Sequence, residues 1–529
     1  MRKNLILTYL LCLLIGFSCG IYFTNSQRPV VDNNNKLNEI LGIIEEQYVD
    51  SISLDSLIEK SIPKMLTELD PHSIYIPAAE VEATNSDLES SFSGIGIRFT
   101  IQEDTIHVSD VIRGGPAEQV GLLAGDLIIT VNDTLFVGSG VCTNEIAMKK
   151  LKGPQGSYVK LGIQRNGEKE LLEFNIRRDQ IPVESIEAAY IIDGKWGYVQ
   201  VEKFAENTYA EFIQKLISFI YSNTQGIIID LRGNGGGYLG IALEMANQFL
   251  KEGEVIVYTE GHNSAKQIEI ANGHGLFQST PLVILVDETS ASASEILAGT
   301  IQDNDRGTII GRRTFGKGLV QQPIDLTDGS MIRLTIARYY TPSGRCIQKP
   351  YTKGNSEQYA LDLLDRYNRG EFFSQDSIHF DQSLVYRTKK GRVVYGGGGI
   401  MPDIFVSSDT ANMTSYAQDA FSRGLVTRFA LKYSDTNRSV LSNYKTYQEL
   451  VTYLKSQPML EKFIEFAETK GLKRRNNLIS KSRSILERSI YSNIIYQILG
   501  MLEHVKYINL EDPTVLKAIE VLEKGEAFP

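Results

Sequence analysis

Histidine and cysteine are scarce in this chain of 529 residues, which contains six histidines and four cysteines. They form no cluster with glutamates that would be typical of a zinc site, so the sequence predicts no metal centre and no cofactor. The net charge is −10, which excludes a bulk basic field for nucleic acid. Cys142 and Cys346 are predicted to be buried and unpaired, with a disulfide as the alternative.

The first residues carry the longest apolar run of the chain. Met1–Phe23 is apolar behind a positive flank of Arg2 and Lys3, which predicts an export segment within residues 1–25. Its length favours an uncleaved anchor in the inner membrane with the positive end inside. Cleavage, or lipidation at Cys19, stays open as an alternative. The remaining chain is then expected outside the inner membrane, in the cell envelope or periplasm.

The strongest chemical pattern lies between Val286 and Gln322. An apolar run that ends at Val286 predicts a buried strand, and helical spacing begins at Glu295. The turn between them is rich in serine, and such turns from strand to helix are where α/β proteins place active sites. Further on, Lys317 stands between two glycines in an apolar, β-branched context, which is an unusual place for a solvated charge.

Serine and lysine can form a hydrolytic site without histidine, and no histidine lies in this stretch. A serine hydroxyl becomes a nucleophile when a base removes its proton. A lysine in an apolar pocket has a lowered pKa and can be neutral, so Lys317 is a candidate base. The N–H of Ala293, at the helix start, is a natural donor to an oxyanion. The alternative is that Ser290, Ser292 and Ser294 only cap the helix.

A glycine loop, Gly233–Gly237, follows a second predicted buried strand and precedes a predicted helix. Such a loop could cradle a phosphate. However, it lacks both a following Lys-Ser/Thr and a Gly-x-Gly-x-x-Gly spacing, so nucleotide binding is not favoured. Asp230 and Arg232, at the end of the strand, are predicted to be structural.

Ser-Ala-Ser-Glu-Ile from Ser292, followed by Thr-Phe-Gly-Lys-Gly-Leu-Val-Gln that ends at Gln321, resembles the carboxyl-terminal processing (tail-specific) peptidases. The resemblance implies Ser292 as nucleophile, Lys317 as base and Gln321 as the residue that orients the lysine. It also implies a second oxyanion N–H from the glycine loop, at Gly236 or a neighbour, beside Ala293.

Residues 85–180 resemble a PDZ domain. Their Ser-Gly-Ile-Gly-Ile sequence is the kind of loop whose backbone N–H groups hold the C-terminal carboxylate of a peptide. Proteins and peptides with exposed C-termini are therefore the expected partners, and a purely structural β domain is the alternative. The predicted peptide-binding residues are Gly94, Ile95, Gly96 and Ile97.

The resemblance implies an α/β protease core of the crotonase- or Clp-like ββα type, with an inserted PDZ domain, an N-terminal helical segment and a C-terminal helical extension. His72, in a turn that the family shares, is predicted to be a turn residue and not a catalyst. The predicted divisions are an anchor at 1–25, a helical segment at 34–84, the PDZ domain at 85–180, the protease core at 181–407 with an insertion at 353–394, and a helical domain at 408–529.

The sequence thus predicts a serine endopeptidase with a Ser-Lys dyad, which cleaves envelope proteins recognised by their C-terminal tails through the PDZ domain. One alternative is a non-proteolytic PDZ adaptor with a resting protease shell. Another is a crotonase-type acyl-CoA enzyme, because the family core resembles that fold. A homodimer and an adaptor protein stay open as further partners.

Overall fold

The computed structural model describes residues 33–86, 88–138, 140–409 and 412–527. The predicted export segment or anchor, Met1–Phe23, lies outside these residues. Across the described ranges, no helix combines the length and the apolar character that a membrane crossing requires. The chain divides into two units, residues 1–69 and residues 70–529.

The described part of the first unit consists of two helices, α1 (Asn33–Gln47) and α2 (Leu54–Thr67). The hydroxyl of Ser53 accepts a hydrogen bond from Ser56 N at 3.3 Å, and serine is a favoured residue at this helix start. The helical segment predicted at residues 34–84 therefore begins with two helices, which are separated by residues 48–53.

The second unit begins with a small, mostly antiparallel β domain. The elements in chain order are β1 (Ile74–Ile76), α3 (Ala78–Ser86), β2 (Ser91–Gly94), β3 (Ile97–Gln102), β4 (Thr105–Val111), α4 (Pro116–Gln119), β5 (Leu127–Val131), β6 (Thr134–Leu135), α5 (Asn144–Leu151), β7 (Tyr158–Gln164), β8 (Leu172–Arg177) and β9 (Asp179–Pro182). The strands of the β domain pair in the order β3-β4-β5-β7-β8, β6 pairs with β5, and β2 pairs with β9.

Local sequence accounts for several of these boundaries. Asn132 and Asp133 have φ angles of 49° and 60°, the left-handed conformation that a tight hairpin between β5 and β6 requires. Thr143 caps α5, because its hydroxyl accepts from Ile146 N at 3.3 Å. These strands, turns and the helix make up the β domain that the sequence predicts for residues 85–180.

The α/β core follows and alternates strands with helices. Its elements are β10 (Ile186–Ile192), β11 (Trp196–Val201), α6 (Thr208–Tyr221), β12 (Gly226–Asp230), α7 (Leu239–Asn247), β13 (Val255–Glu260), β14 (Gln267–Ile270), β15 (Leu282–Val286), α8 (Ala293–Asp303), β16 (Thr308–Gly311), β17 (Leu319–Asp325), β18 (Met331–Tyr340), α9 (Ser356–Asn368), a 3₁₀ turn (Gln375–Ser377), β19 (Val385–Arg387), β20 (Val393–Tyr395) and β21 (Ile404–Phe405).

The C-terminal region is helical throughout its described residues, as predicted, and forms its own apolar core. Its helices are α10 (Ser415–Ser422), α11 (Leu425–Thr436), α12 (Arg438–Leu441), α13 (Tyr447–Lys455), α14 (Met459–Thr469), α15 (Asn476–Lys481), α16 (Arg483–Leu499), α17 (Met501–Asn509) and α18 (Pro513–Glu523).

The central sheet has the order β10-β11-β12-β15-β16-β21 and is parallel except for β10 against β11. Every residue of β12 and β15 is buried, because alternate side chains enter two different cores. Ile227 and Ile229 pack with helices α6, α7 and α8, whereas Ile228 packs with Val505 and Val515 from the C-terminal helices. Both faces are covered, which explains the continuous apolar runs of these strands.

A second sheet is antiparallel and brings β17 beside the central one. It has the order β1-β18-β13-β14, and β17 pairs with β18 over its whole length. The α/β core, the inserted β domain and the two helical regions confirm the predicted fold class.

Candidate active site

The serine-rich turn between β15 and α8 leaves one hydroxyl accessible. Ser290 Oγ donates to Leu231 O at 2.8 Å and Ser294 Oγ donates to Asn234 O at 2.9 Å, and both serines are fully buried. Ser292 is half-buried, and its hydroxyl is not bound to a backbone carbonyl of the turn as the hydroxyls of Ser290 and Ser294 are. The two flanking serines therefore hold the turn, and Ser292 is the one that can meet a substrate.

Ser292 also has an unusual backbone, with φ 57° and ψ −114°. A non-glycine residue in this region is strained, and such strain persists where the surrounding contacts fix it. Ser292 N donates to Glu295 at 2.9 Å, and Ile296 N donates to Ser292 O at 3.0 Å. The conformation turns the chain sharply from strand to helix and exposes the serine at the turn, as in a nucleophile elbow.

Lys317 lies in the loop that leads into β17. Its Nζ donates to Gln321 Oε1 at 2.9 Å, and Gln321 Nε2 in turn donates to the backbone carbonyl of His72. Burial lowers the pKa of Lys317 below its ordinary value, and Arg333 lowers it further, although the charge of Glu295 opposes the shift. The structure thus places a lysine with a weakened proton affinity in contact with the predicted orienting glutamine.

Glycines on both sides of Lys317 permit this close packing. A Cβ at Gly318 would lie 2.8 Å from Gln348 N, and a Cβ at Gly316 would lie 3.1 Å from both Gly399 N and the Lys349 side chain. Gly316 has a φ of 91°, which L side chains rarely adopt. The Gly-Lys-Gly sequence therefore lets the lysine loop press against two neighbouring backbones.

The carboxylate of Glu295 joins the serine turn to the lysine loop. One oxygen accepts from Ser292 N at 2.9 Å and from Lys317 N at 2.8 Å. The other accepts from Thr314 Oγ1 at 2.5 Å and from Gly316 N at 2.7 Å. Burial raises the pKa of Glu295 to about 7, although the four donors favour its ionised form.

Sequence reasoning missed this role of Glu295. The available signal was its position three residues after Ser292, which is the spacing of a capping box. Such a spacing predicts the hydrogen bond back to Ser292 N. It does not predict the bonds that Glu295 accepts from Thr314, Gly316 and Lys317 in the lysine loop.

The phenol of Tyr339 makes a second link between the two segments. Its hydroxyl lies 3.2 Å from Ser292 O and 2.5 Å from Lys317 O, so it can donate to either carbonyl. Tyr339 is buried, and desolvation holds its pKa well above the ordinary value, so the hydroxyl stays protonated as a donor. The side chains of Glu295 and Tyr339 thus both link the serine turn to the lysine loop.

The glycine loop passes directly over the serine turn. A Cβ at Gly236 would lie 2.7 Å from Ser292 Cβ and 3.0 Å from Ala293 N, and Gly236 has a φ of 104°. Gly236 N donates to Asn234 Oδ1 at 2.8 Å. Ala293 is the first residue of α8, so its N–H has no acceptor in a preceding turn of the helix. The two predicted oxyanion donors are therefore neighbours, and that of Gly236 is engaged within the loop.

Asp230 and Arg232 form an ionic network at the end of β12. Arg232 binds Asp230 at 2.6 Å and Asp512 at 2.8 Å, and Tyr198 donates to Asp230 at 2.7 Å. These contacts join the central sheet to the C-terminal helices. They fit the structural role that the sequence predicted for Asp230 and Arg232.

The predicted peptide-binding loop lies where β2 meets β3. Gly94 ends β2 opposite Asp179, and Ile97 begins β3. Between them, Ile95 O accepts from Ala117 N at 2.8 Å and Gly96 O accepts from Ile112 N at 3.0 Å. The carbonyls are thereby fixed toward the domain.

A groove of about 1470 Å³ starts beside this loop. It runs between β2, helix α5 and helix α7, the last of which begins directly after the glycine loop. Phe92 of β2, Lys152 directly after α5, and Ile241 of α7 line the groove. The structure therefore connects the β domain with the segment that follows Gly236 through one open surface.

The described residues include two cysteines, Cys142 and Cys346. Cys142 is buried and Cys346 is half-buried, and both are free thiols, so the predicted disulfide alternative is wrong. Within the ranges of the chain that the structure describes, no group of three or more His, Cys, Asp or Glu side chains is placed to hold a metal ion.

Comparison with known proteins gives three family matches. Residues 195–357 match the model of peptidase family S41, and residues 93–176 match the PDZ domain. Residues 416–500 match a family of unknown function.

Individual relatives extend over more of the chain. A carboxy-terminal-processing protease of Bartonella bacilliformis is 37% identical over 332 residues, which are 61% of this chain and 75% of the relative. The carboxy-terminal processing protease CtpB of Bacillus subtilis is 32% identical over 353 residues, 66% of this chain and 72% of the relative. Among solved structures, a photosystem II D1 C-terminal processing protease is 25% identical, with a TM-score of 0.36, over 70% of this chain and 92% of its own.

Proposed function

Because the chain belongs to the family of carboxy-terminal processing proteases, and is therefore a serine peptidase that carries a PDZ domain, we propose that Ser292 is its nucleophile and Lys317 is the base that activates it. The observation that carries the proposal is the shared acceptor Glu295, which binds Ser292 N at 2.9 Å and Lys317 N at 2.8 Å through one oxygen. The acyl-CoA alternative loses its support, since the core matches a peptidase model.

The reaction proceeds through an acyl-enzyme. Neutral Lys317 accepts the hydroxyl proton of Ser292 as Oγ attacks the scissile carbonyl carbon, and the lysine then gives that proton to the leaving amine. Water attacks the ester carbonyl while Lys317 takes its proton, and the lysine returns that proton to Ser292 Oγ as the bond from the acyl carbon to Oγ breaks and the product acid leaves. Gln321, which accepts from Lys317 Nζ at 2.9 Å, orients the amine between these steps. The lowered pKa of Lys317 supports its neutral form.

The tetrahedral oxyanion is held by backbone donors. Ala293 N–H supplies the first, at the positive end of α8. The second is an N–H of the glycine loop, at Gly236, which must turn from Asn234 Oδ1 or share its proton with the oxyanion. The 3.0 Å approach between the ideal Cβ position of Gly236 and Ala293 N supports this pairing.

The PDZ domain selects the substrate by its C-terminal tail. The loop Gly94–Ile97 binds the terminal carboxylate, and the upstream chain follows the groove along α5 and α7 toward the serine turn. The open connection between these helices supports this path. An extended peptide gains most of its affinity from backbone contacts, whereas apolar pockets favour tails with hydrophobic side chains.

We place the enzyme in the cell envelope or periplasm, anchored in the inner membrane by residues 1–25, with envelope proteins as substrates. The support is the composition of Met1–Phe23, which is apolar behind Arg2 and Lys3. Homodimer formation and an adaptor protein remain predictions from the family resemblance.

Proteolysis by the purified chain tests the proposal. A test protein that ends in an apolar tail is compared with the same protein ending in charged residues. Cleavage should require the apolar tail and should vanish in Ser292→Ala and in Lys317→Ala. Ser222→Ala is the matched control, because its exposed hydroxyl at the end of α6 binds Ser218 O at 3.0 Å and the variant should keep the activity.

Each outcome bears on a different part of the proposal. Full activity in Ser292→Ala or Lys317→Ala would refute the dyad. Cleavage without tail preference would keep the peptidase and refute substrate selection by the PDZ domain. Tail binding without cleavage of any tailed protein would favour the adaptor with a resting protease shell.

A further inference from the structure

A chain of hydrogen bonds begins at the Lys317 amine, passes through residues that are distant in sequence, and ends at the neighbouring Gly318 N–H. Lys317 Nζ donates to Gln321 Oε1 at 2.9 Å, and Gln321 Nε2 donates to the His72 carbonyl. The imidazole of the same residue, His72, lies with Nε2 2.8 Å from the hydroxyl of Tyr359. Tyr359 belongs to α9, in the segment that sequence analysis treated as an insertion.

The second half of the circuit runs from Tyr359 back to the lysine loop. Gln348 Nε2 donates to the Tyr359 hydroxyl at 3.3 Å, and Gly318 N donates to Gln348 Oε1 at 2.8 Å. Since Gly318 adjoins Lys317, the circuit closes. Because Gln348 donates to the phenol, the phenol proton is free to be donated to His72 Nε2, which requires a neutral imidazole.

The imidazole environment favours that neutral form. Burial, together with the charges of Lys317 and Lys349 and against that of Asp70, lowers the pKa of His72 to about 4. At neutral pH the imidazole is therefore uncharged and can accept from Tyr359. The phenol can act as a fixed donor to it.

Aromatic packing holds the Tyr359 ring in place independently of its hydroxyl. The side chain is 7% exposed and meets His72 and Phe315 edge-on, with ring centroids 5.0 and 5.9 Å apart. Lys349 Nζ lies 4.1 Å from the ring centroid and pairs with Asp362 of the same helix at 2.9 Å. Loss of the hydroxyl alone would thus leave the ring where it is.

Helix α9 is itself fixed on the segment that precedes Lys317. Arg366 is 1% exposed and donates to Arg313 O at 2.6 Å and to Thr314 O at 3.0 Å. Glu371 accepts from both Arg313 and Arg366, at 2.5 and 3.2 Å. A buried ionic cluster therefore keeps α9 in one register against the lysine loop.

We propose that Tyr359, with Gln348 and His72, is a positioning residue that holds Gln321 and, through it, the Lys317 amine in line with Ser292. The inserted segment thereby completes the base of the peptidase. The proposal rests on the proposed dyad. Its chemistry is geometric: no proton leaves Tyr359, and its hydroxyl only fixes the carbonyl to which Gln321 is bound.

Kinetics of Tyr359→Phe test the proposal, with a fluorogenic peptide that carries an apolar C-terminal tail. The change keeps the ring and leaves His72 Nε2 and Gln348 Nε2 without the phenol. Because a misplacement of about 1 Å can cost about 100-fold in rate, kcat should fall between about 10- and 100-fold while KM stays within about twofold. Tyr367→Phe, on the exposed face of the same helix, should change neither constant.

A double-mutant cycle identifies the route of the effect. If Tyr359 acts through Gln321, then Tyr359→Phe should change kcat less than about twofold in a Gln321→Ala background. Full additivity, a wild-type kcat in Tyr359→Phe, or a rise in KM at constant kcat would overturn the proposal. Melting temperatures confirm folding. If Tyr359→Phe does not fold, Gln348→Glu carries the same test, since it keeps an acceptor for Gly318 N and draws the phenol proton from His72.

The same experiment separates this proposal from the one it depends on. Ser292→Ala and Lys317→Ala are measured in parallel with the same peptide. Activity in either variant refutes the dyad and with it the positioning role. Inactivity in both, combined with an additive cycle, leaves the dyad standing and refutes the role of Tyr359 alone.

Discussion

The strained backbone of Ser292 predicts that glycine stabilises this position while it removes activity. A non-glycine residue at φ 57° and ψ −114° carries strain of roughly 1–3 kcal/mol. Glycine relieves the strain, but it costs about 0.5–1 kcal/mol through the greater freedom of the unfolded chain. Comparison of Ser292→Gly with Ser292→Ala cancels the loss of the hydroxyl, so the glycine variant should be more stable by about 1 kcal/mol.

The backbone contacts of Ser292 do not depend on its side chain, which makes the comparison clean. Its N–H binds Glu295 at 2.9 Å, and its carbonyl receives Ile296 N at 3.0 Å and the Tyr339 hydroxyl at 3.2 Å. Both variants retain all three bonds. The difference between them then reports the strain of the turn.

Calorimetric melting of the two inactive variants measures the effect. For a domain of about 150–250 residues, which is the size of the α/β core from β10 to β21, 1 kcal/mol corresponds to about 2–4 °C, so the melting transition of this core should lie that much higher in the glycine variant than in the alanine variant. Ala293→Gly, one residue further on in ordinary helical conformation, is the control and should be destabilised. A glycine variant that melts at or below the alanine variant would refute the assignment of strain to Ser292.

Three further predictions concern Lys317, Gly236 and Asp303. Burial lowers the pKa of Lys317, and the base must be neutral, so kcat/KM should rise with pH along a limb whose midpoint lies below the ordinary 10.5; a pH–rate profile measures it. Gly236→Ala places a Cβ 2.7 Å from Ser292 Cβ at a positive φ, and should lower kcat by roughly 100-fold in the tailed-substrate assay. Asp303→Ala removes the partner of fully buried Arg345 at 2.7 Å, and denaturant unfolding should show a loss of about 3–5 kcal/mol.

The sequence identified those features whose signal is local. The apolar run that ends at Val286 predicts the buried strand β15, whose five residues are all buried. The pair Ser292 and Lys317 was found because two short motifs stand at a fixed separation. The choice among three serines was made by resemblance, and the structure adds a physical reason, since the hydroxyls of Ser290 and Ser294 are bound within the turn.

The features that were missed depend on contacts between remote segments. His72 and Tyr359 are 287 residues apart, and nothing in the spacing around either residue indicates that they meet. His72 was predicted to be a turn residue, and its backbone does serve a turn, with His72 N bound to Asp70 at 2.8 Å. Its carbonyl meets Gln321 only when the second sheet brings β17 beside that turn, and its imidazole meets Tyr359 only when α9 packs against it.

The two halves of the candidate site come from different sheets, and this explains why a carboxylate lies between them. Ser292 follows β15 of the parallel sheet, whereas Lys317 precedes β17 of the antiparallel sheet. Between the serine turn and the lysine loop, one backbone bond runs from Phe315 N to Ser290 O at 3.0 Å, and the side chains of Glu295 and Tyr339 add further links. Glu295 is suited to this task because a carboxylate can accept several N–H bonds at once, and its burial makes each bond stronger than it would be in water. The geometry of the serine and the lysine therefore depends on two buried side chains, Glu295 and Tyr339, that bind their backbones.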